Sequence, residues 1–228
     1  MKREKNLLYM LQSVDAFFPI GAFTLSNGLE DYVAEERIGS IKELQEYMEG
    51  FLQIFAYNDL GIAALGFQYE KQPEKLLELD ALTNAIKGAR EVRVGSNKMC
   101  SRYLKAREAM GDLNGALEWY FEQIKARKAV GFHPIAIGLY GASIGMELEE
   151  VLTMYGYSVL SAIVNNGVKL VPLSQLEGQR VLFQNMDGLE KAVKQAMQVE
   201  VQELGVSGTA FELHCMKHEH LYSRQYMS

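Results

Sequence analysis

Side chains able to do chemistry are sparse in this sequence, and most stand apart from one another. The four histidines, His133, His214, His218 and His220, sit beside no serine or cysteine in a nucleophile context. There is no phosphate-binding G-x-x-x-x-G-K-[ST] loop, G-x-G-x-x-G fingerprint, EF-hand loop or paired C-x-x-C. The densest grouping is His214–His220, HCMKHEH. On a helix His214 and His218 fall one turn apart with Cys215 beside them, and imidazole with thiolate suits nickel or zinc. Contact by a tail explains the same residues, and no metal, no cofactor and no catalytic residue is expected. Arg90, Arg93 and Arg180 offer another chemistry, because an arginine can act in trans on the phosphoryl group of a partner nucleotidase. The ordinary fate of a surface arginine is a salt bridge of little energetic worth. A third alternative, a helical small-molecule enzyme, needs Glu30, Arg90 and His133 to converge in one cleft.

The bulk composition narrows the classes further. A chain of 228 residues can bury a real core, and 48% apolar with 23% charged residues is ordinary for a globular protein. A net charge of −6 argues against broad nucleic-acid binding. Two distant cysteines, Cys100 and Cys215, make no disulfide scaffold and point to a reducing compartment. Polar residues Asn6, Gln12, Ser13 and Asp15 break up the N-terminal apolar stretch, so it does not read as a signal peptide. Pro134–Met146, at 13 residues, is too short to span a bilayer and reads as a buried helix. A cytoplasmic protein with no membrane attachment is expected.

The elements that must position these residues are helical. The four prolines, Pro19, Pro73, Pro134 and Pro172, fall where helices should start or stop. Ile41, Leu44, Met48, Phe51, Leu52 and Phe55 share one helical face, and Ser40 with Glu43 forms a capping box ahead of them. Glu147–Val164 repeats the pattern, with acids crowding its first turn. Further helices are expected over Pro73–Ile86, Ala89–Lys105, Leu113–Lys128 and Leu189–Leu204. Gly138, Gly141 and Gly145 along the helix from Pro134 suggest close approach of another backbone. Ala16–Ser26, Asn166–Glu177 and the tail after Gly205 are the least helical parts. The expectation is one compact, multi-helix, all-α domain over residues 1–208, followed by a tail over 209–228.

Pro19–Glu30, PIGAFTLSNGLE, is the most distinctive string. Pro19 fixes φ, Gly21 permits a tight bend, and Phe23 offers an apolar anchor. Ser26 is placed to cap a helix beginning near Asn27, with Glu30 by its first turn.

The string resembles the N-terminal signature of the UreF family of urease accessory proteins, P-x-G-x-[FY]-[ST]-x-S-x-G-[LM]-E. Pro19, Gly21, Phe23, Thr24, Ser26, Gly28, Leu29 and Glu30 all fit it. Ala89–Gly95 (AREVRVG) is similar to the family's central-helix run, with Val92 as a departure. His133–Gly138 and Leu148–Glu150 follow in the family's order. Val168–Leu182 resembles a further stretch, with Lys169 and Ser174 departing. In the tail His218, Glu219, Ser223 and Arg224 match, whereas Gln225 and Tyr226 depart. The resemblance implies an all-helical, cytoplasmic, dimeric, non-enzymatic protein that joins a UreD/UreH-type accessory protein, recruits the UreG GTPase and helps load nickel into apo-urease. It implies a tail that orders in the partner complex. Partner contacts are then expected at Pro19, Gly21, Phe23, Ser26, Gly28, Glu30, Arg90, Arg180, His218, Glu219, Tyr222, Ser223 and Arg224.

Overall fold

Helix is the only regular structure among the described residues, which run from 2 to 227 of the computed structural model. In chain order the helices are α1 (Lys2–Val14), α2 (Leu29–Ala34), α3 (Ile41–Phe55), α4 (Asp59–Gln68), α5 (Pro73–Ile86) and α6 (Arg90–Ala109). They continue as α7 (Gly115–Lys125), α8 (His133–Ser143), α9 (Leu148–Leu170), α10 (Gln175–Gln184), α11 (Met186–Ala196) and α12 (Thr209–Lys217). The all-α expectation holds. No helix among the described residues is long and apolar enough to cross a membrane.

Two helices define the centre because neither has a polar face. Leu60–Gly66 of α4 and His133–Gly141 of α8 are buried throughout. A helix apolar on every side is stable only in a core. The pair crosses with backbones nearly touching: a Cβ on Gly138 would overlap the Ala63 carbonyl oxygen and lie 2.7 Å from the Phe67 nitrogen. Backbone cannot move aside as a side chain can, so this position requires glycine. The other two glycines of the run act differently. Gly141 makes room for the Val151 side chain, and Gly145 turns the chain at φ +73°.

Around this pair, α6, α7 and α9 pack on α8, while α1, α10 and α11 lie on α9. Helix α3 closes against α10 and α11, and α12 sits at the margin on α2 and α6. Local signals fix several of the ends. Ser40 Oγ accepts from the Glu43 amide, while the Glu43 carboxylate accepts from Gly39 N at 2.8 Å and from the Ser40 hydroxyl. Pro73 and Pro134 both occupy the first turn of their helices.

Several expected bounds move. The helix from Ala89 starts at Arg90 and runs on to Ala109, Leu113–Lys128 shortens to Gly115–Lys125, and Leu189–Leu204 becomes Met186–Ala196 plus a 3-10 turn. Asn166–Glu177 is largely helical, contrary to expectation. Gly167 does not break α9; its missing side chain leaves room for Leu44, whose Cδ2 would lie 2.9 Å from a Cβ there. Ser174 and Glu177 then cap α10 reciprocally, leaving only residues 171–174 between the helices. The tail also differs, being helical over Thr209–Lys217 and 3-10 over His218–His220.

Candidate functional site

The Pro19–Glu30 segment is built by hydrogen bonds to its own backbone and to neighbouring helices. Gly21 adopts φ +80°, and Arg102 lies so close that a Cβ would overlap its guanidinium, which donates to the Ile20 carbonyl at 3.0 Å. Beneath the turn, Phe18 packs beside Tyr103 and under the buried Arg107 guanidinium, which also lies 3.8 Å over the Tyr140 ring. Buried Asn166 donates to the Leu25 carbonyl at 2.8 Å, and Tyr47 donates to that of Asn27 at 2.9 Å. Ser26 Oγ accepts from the Glu30 amide at 3.4 Å, but α2 begins at Leu29, two residues beyond Asn27, behind Gly28 at φ +81°. Gly28 serves a second need: a Cβ there would lie 3.0 Å from both Cys215 N and Sγ. The bend therefore receives the tail helix directly.

Glu30 and Asp31 follow in the first turn of α2, buried, where the helix dipole favours carboxylates. Glu91 occupies the first turn of α6 nearby. The tail brings cations and donors to these three groups. His214 Nδ1 lies 2.6 Å from Asp31 Oδ2, with its ring stacked 3.6 Å from that of Tyr32. His218, with no exposed surface, lies between two carboxylates, Nε2 2.8 Å from Glu30 and Nδ1 2.7 Å from Glu91. Arg224 reaches Glu91 at 2.7 Å, and Arg90 pairs with Glu219 at 2.8 Å. Backbone amides of Gln225 and Tyr226 donate to Glu30 at 2.6 and 3.1 Å, and that of Met227 donates to the Thr24 carbonyl at 2.7 Å.

Seven of the residues expected to make partner contacts thus meet at one junction within the chain: Ser26, Gly28, Glu30, Arg90, His218, Glu219 and Arg224. Gly21 lies next to it through Thr24, whose hydroxyl donates to the Gly21 carbonyl at 2.7 Å. Pro19, Phe23, Tyr222 and Ser223 are exposed, and Arg180 is exposed on α10, outside the junction. Asp31, Glu91 and His214 complete the junction without having been assigned partner contacts. For Glu91 the only signal was an acid beside Arg90 at a helix start.

A metal set of His214, Cys215 and His218 does not form. Each histidine engages a different carboxylate, and both nitrogens of His218 are taken. Burial raises the Cys215 thiol to about 12, so it is not a thiolate near neutral pH. Asp31, Glu35 and His214 place possible ligand atoms within 4.8 Å of one another, but Lys217 Nζ already lies 2.6 Å from Glu35.

A cleft of about 560 Å³ opens on the other side of the Pro19–Leu25 loop, lined by Phe18, Ile20, Tyr155, Val164 and Leu182 with His133 among them. Burial depresses His133 to about 4, leaving it neutral at pH 7, and its Nε2 has no partner among the described residues. Glu30 and Arg90 do not line this cleft. The convergence required of a small-molecule enzyme is therefore absent among the described residues.

The sequence model of the UreF family matches residues 38–186. A urease accessory protein UreF of Actinobacillus pleuropneumoniae is 35% identical over 222 residues, covering 96% of this chain and 97% of its own. A protein of the same name from Haemophilus influenzae is also 35% identical, over 96% of this chain and 94% of its own. One from Streptococcus salivarius is 29% identical over 98% of this chain and 95% of its own. The full-length matches take in both the Pro19–Glu30 bend and most or all of the tail that grips it, and on this ground the chain belongs to the UreF family of urease accessory proteins.

Proposed function

We propose that this chain is an adaptor in nickel insertion, bridging a UreD/UreH-type accessory protein and the UreG GTPase while apo-urease receives its metal. As a member of a family of accessory proteins it is not itself an enzyme. It acts in the cytoplasm and as a homodimer. The observation that carries the reading is a set of large apolar side chains left in solvent: Phe17 at 93% exposure, Phe183 at 78%, Phe23, Leu176, Leu8 and the fully exposed Tyr222. Aromatic groups of this size, uncovered by their own chain, are good anchors for a partner. The adaptor works by geometry, holding the GTPase against the other components so that released nickel passes internally rather than through solvent. Its tail, seated by polar contacts, reorders when the UreD/UreH-type partner binds.

Co-purification of the full chain with UreD-type and UreG-type proteins tests the reading. Deletion of residues 210–228 is expected to abolish capture of the UreD-type protein while the helical body stays folded. Tyr222→Ala, which removes an exposed ring without touching the junction, is expected to weaken it. Full binding by both variants would refute the assignment of the tail.

A second reading, arginine-dependent activation of the GTPase, is favoured by the exposure of Arg180. Arg90 is less available because Glu219 holds it. GTP hydrolysis by UreG accelerated by this chain, with the acceleration lost in Arg180→Ala, would support activation over plain adaptor action.

A further inference from the structure

We infer that seating of the C-terminal tail is a proton-linked latch, in which His218 must be an imidazolium for residues 214–227 to dock. The inference rests on the docked tail alone and stands apart from the adaptor reading. Both ring nitrogens of His218 lie at hydrogen-bond distance from carboxylate oxygens, 2.8 Å to Glu30 and 2.7 Å to Glu91. A neutral imidazole has one N–H and one lone pair. Its lone pair would face a carboxylate oxygen, acceptor against acceptor, in a place without solvent. The docked array therefore holds one proton more than a neutral histidine with two ionised carboxylates. An imidazole is intrinsically a stronger base than a carboxylate, and a ring protonated on both nitrogens donates to both oxygens, so the geometry places the proton on the ring.

The surrounding charges do not supply a substitute. Asp31 of α2 receives His214, and Glu35 at its C-terminal cap is paired with Lys217. From α6, Arg90 is paired with Glu219, and Glu91 holds Arg224 on its other oxygen. Among the described residues Glu30 has backbone amides and His218 but no arginine or lysine. Loss of the His218 proton would leave two carboxylates facing one guanidinium. His214 differs, since only Nδ1 meets a carboxylate and a neutral Nδ1–H tautomer satisfies it. His220 is exposed and takes no part.

The sign follows from linkage. The docked array needs a proton that a solvated histidine is free to lose, so the docked tail binds more protons than the undocked one. Docking is therefore strongest on the acid side of neutrality. It weakens as pH rises, by up to about tenfold per pH unit for one linked proton.

Hydrogen exchange of the full chain between about pH 6 and about pH 8 tests this, reading the Gln225 and Tyr226 amides against their intrinsic chemical rates. Protection is expected to fall as pH rises in the wild type, by up to about tenfold per unit. In Glu91→Gln the carboxamide nitrogen can donate to a neutral His218 while its oxygen still accepts from Arg224, so protection should persist with a flat profile. Equal slopes in the two proteins, or flat protection in the wild type, would overturn the latch. Should Glu91→Gln fail to seat its tail, the wild type still decides. A ¹⁵N side-chain spectrum near pH 7 should show both His218 nitrogens protonated while the tail is docked, and an unprotonated ring nitrogen there refutes the inference.

Discussion

Replacing Glu30 with alanine should free the tail while leaving the helical body intact. The Glu30 carboxylate accepts from His218 Nε2 at 2.8 Å, Gln225 N at 2.6 Å and Tyr226 N at 3.1 Å. Removing one partner of a buried ion pair costs about 3–5 kcal/mol, because the other charge is left uncompensated. That lowers tail docking by roughly one hundred- to several thousand-fold. The cost falls on the tail because the donors all belong to it, whereas the core runs through the α4–α8 crossing. Limited trypsin digestion reads the outcome directly: Lys217 and Arg224 are paired in the wild type and should become early cleavage sites in Glu30→Ala. The urea midpoint of the body should stay within a shift equivalent to about 1 kcal/mol. Unchanged protection of both sites, or tail and body unfolding together at a much lower midpoint, would refute the reasoning.

Other positions give independent checks. Gly138→Ala forces a methyl group against the Ala63 carbonyl, and overpacking of about 1–3 kcal/mol should outweigh the roughly 1 kcal/mol that alanine contributes in helix propensity. Urea unfolding should show a net loss, and a stabilised variant would contradict the close backbone crossing. At pH 8 the Cys215 thiol, raised to about 12, should be thiolate in roughly one molecule in ten thousand, against about a quarter for a free cysteine. Alkylation should therefore be slow in the folded chain and speed up as pH rises; rapid modification without tail release would contradict the burial. His133, depressed to about 4, should stay neutral through the physiological range. Because its folded-state value lies below the usual 6.5, its contribution to stability should decline as pH falls from about 6.5 towards 4. A lower urea midpoint near pH 5 that is restored in His133→Gln would show it, and an identical acid response in the two proteins would not fit.

The body was legible in the sequence wherever burial is apolar. The helix over Ile41–Phe55 has the bounds its stripe of Leu44, Met48, Phe51, Leu52 and Phe55 required, with Ser40 capping it. Pro73 and Pro134 marked helix starts correctly because a proline lacks only a donor that the first turn does not use. The reading failed where a residue type has two uses. Gly167 falls in the stretch 166–177 expected to be among the least helical, yet it sits inside α9 as the space into which Leu44 packs. Asn166, at the start of that stretch, is buried in α9 and holds the Leu25 carbonyl. Neither role can be assigned without knowing which helix lies opposite.

The tail was illegible for a different physical reason, and that reason bears on what it does. A docked helix usually buries an apolar face, but α12 fully buries His214 and Cys215, with Phe211 packed part-buried on Tyr47 and Phe51, while Leu213 and Met216 remain exposed. Its attachment continues through buried His218 and the carboxylates of Glu30, Asp31 and Glu91. Burying charges costs several kcal/mol per ion, and only complete pairing repays it. An apolar face weakens gradually as contacts are lost, whereas a junction of this kind fails once a single proton or donor is withdrawn. A partner that offers Glu30 and Glu91 other donors, or takes His218 and Arg224 onto its own acceptors, can therefore free the tail without unfolding the body.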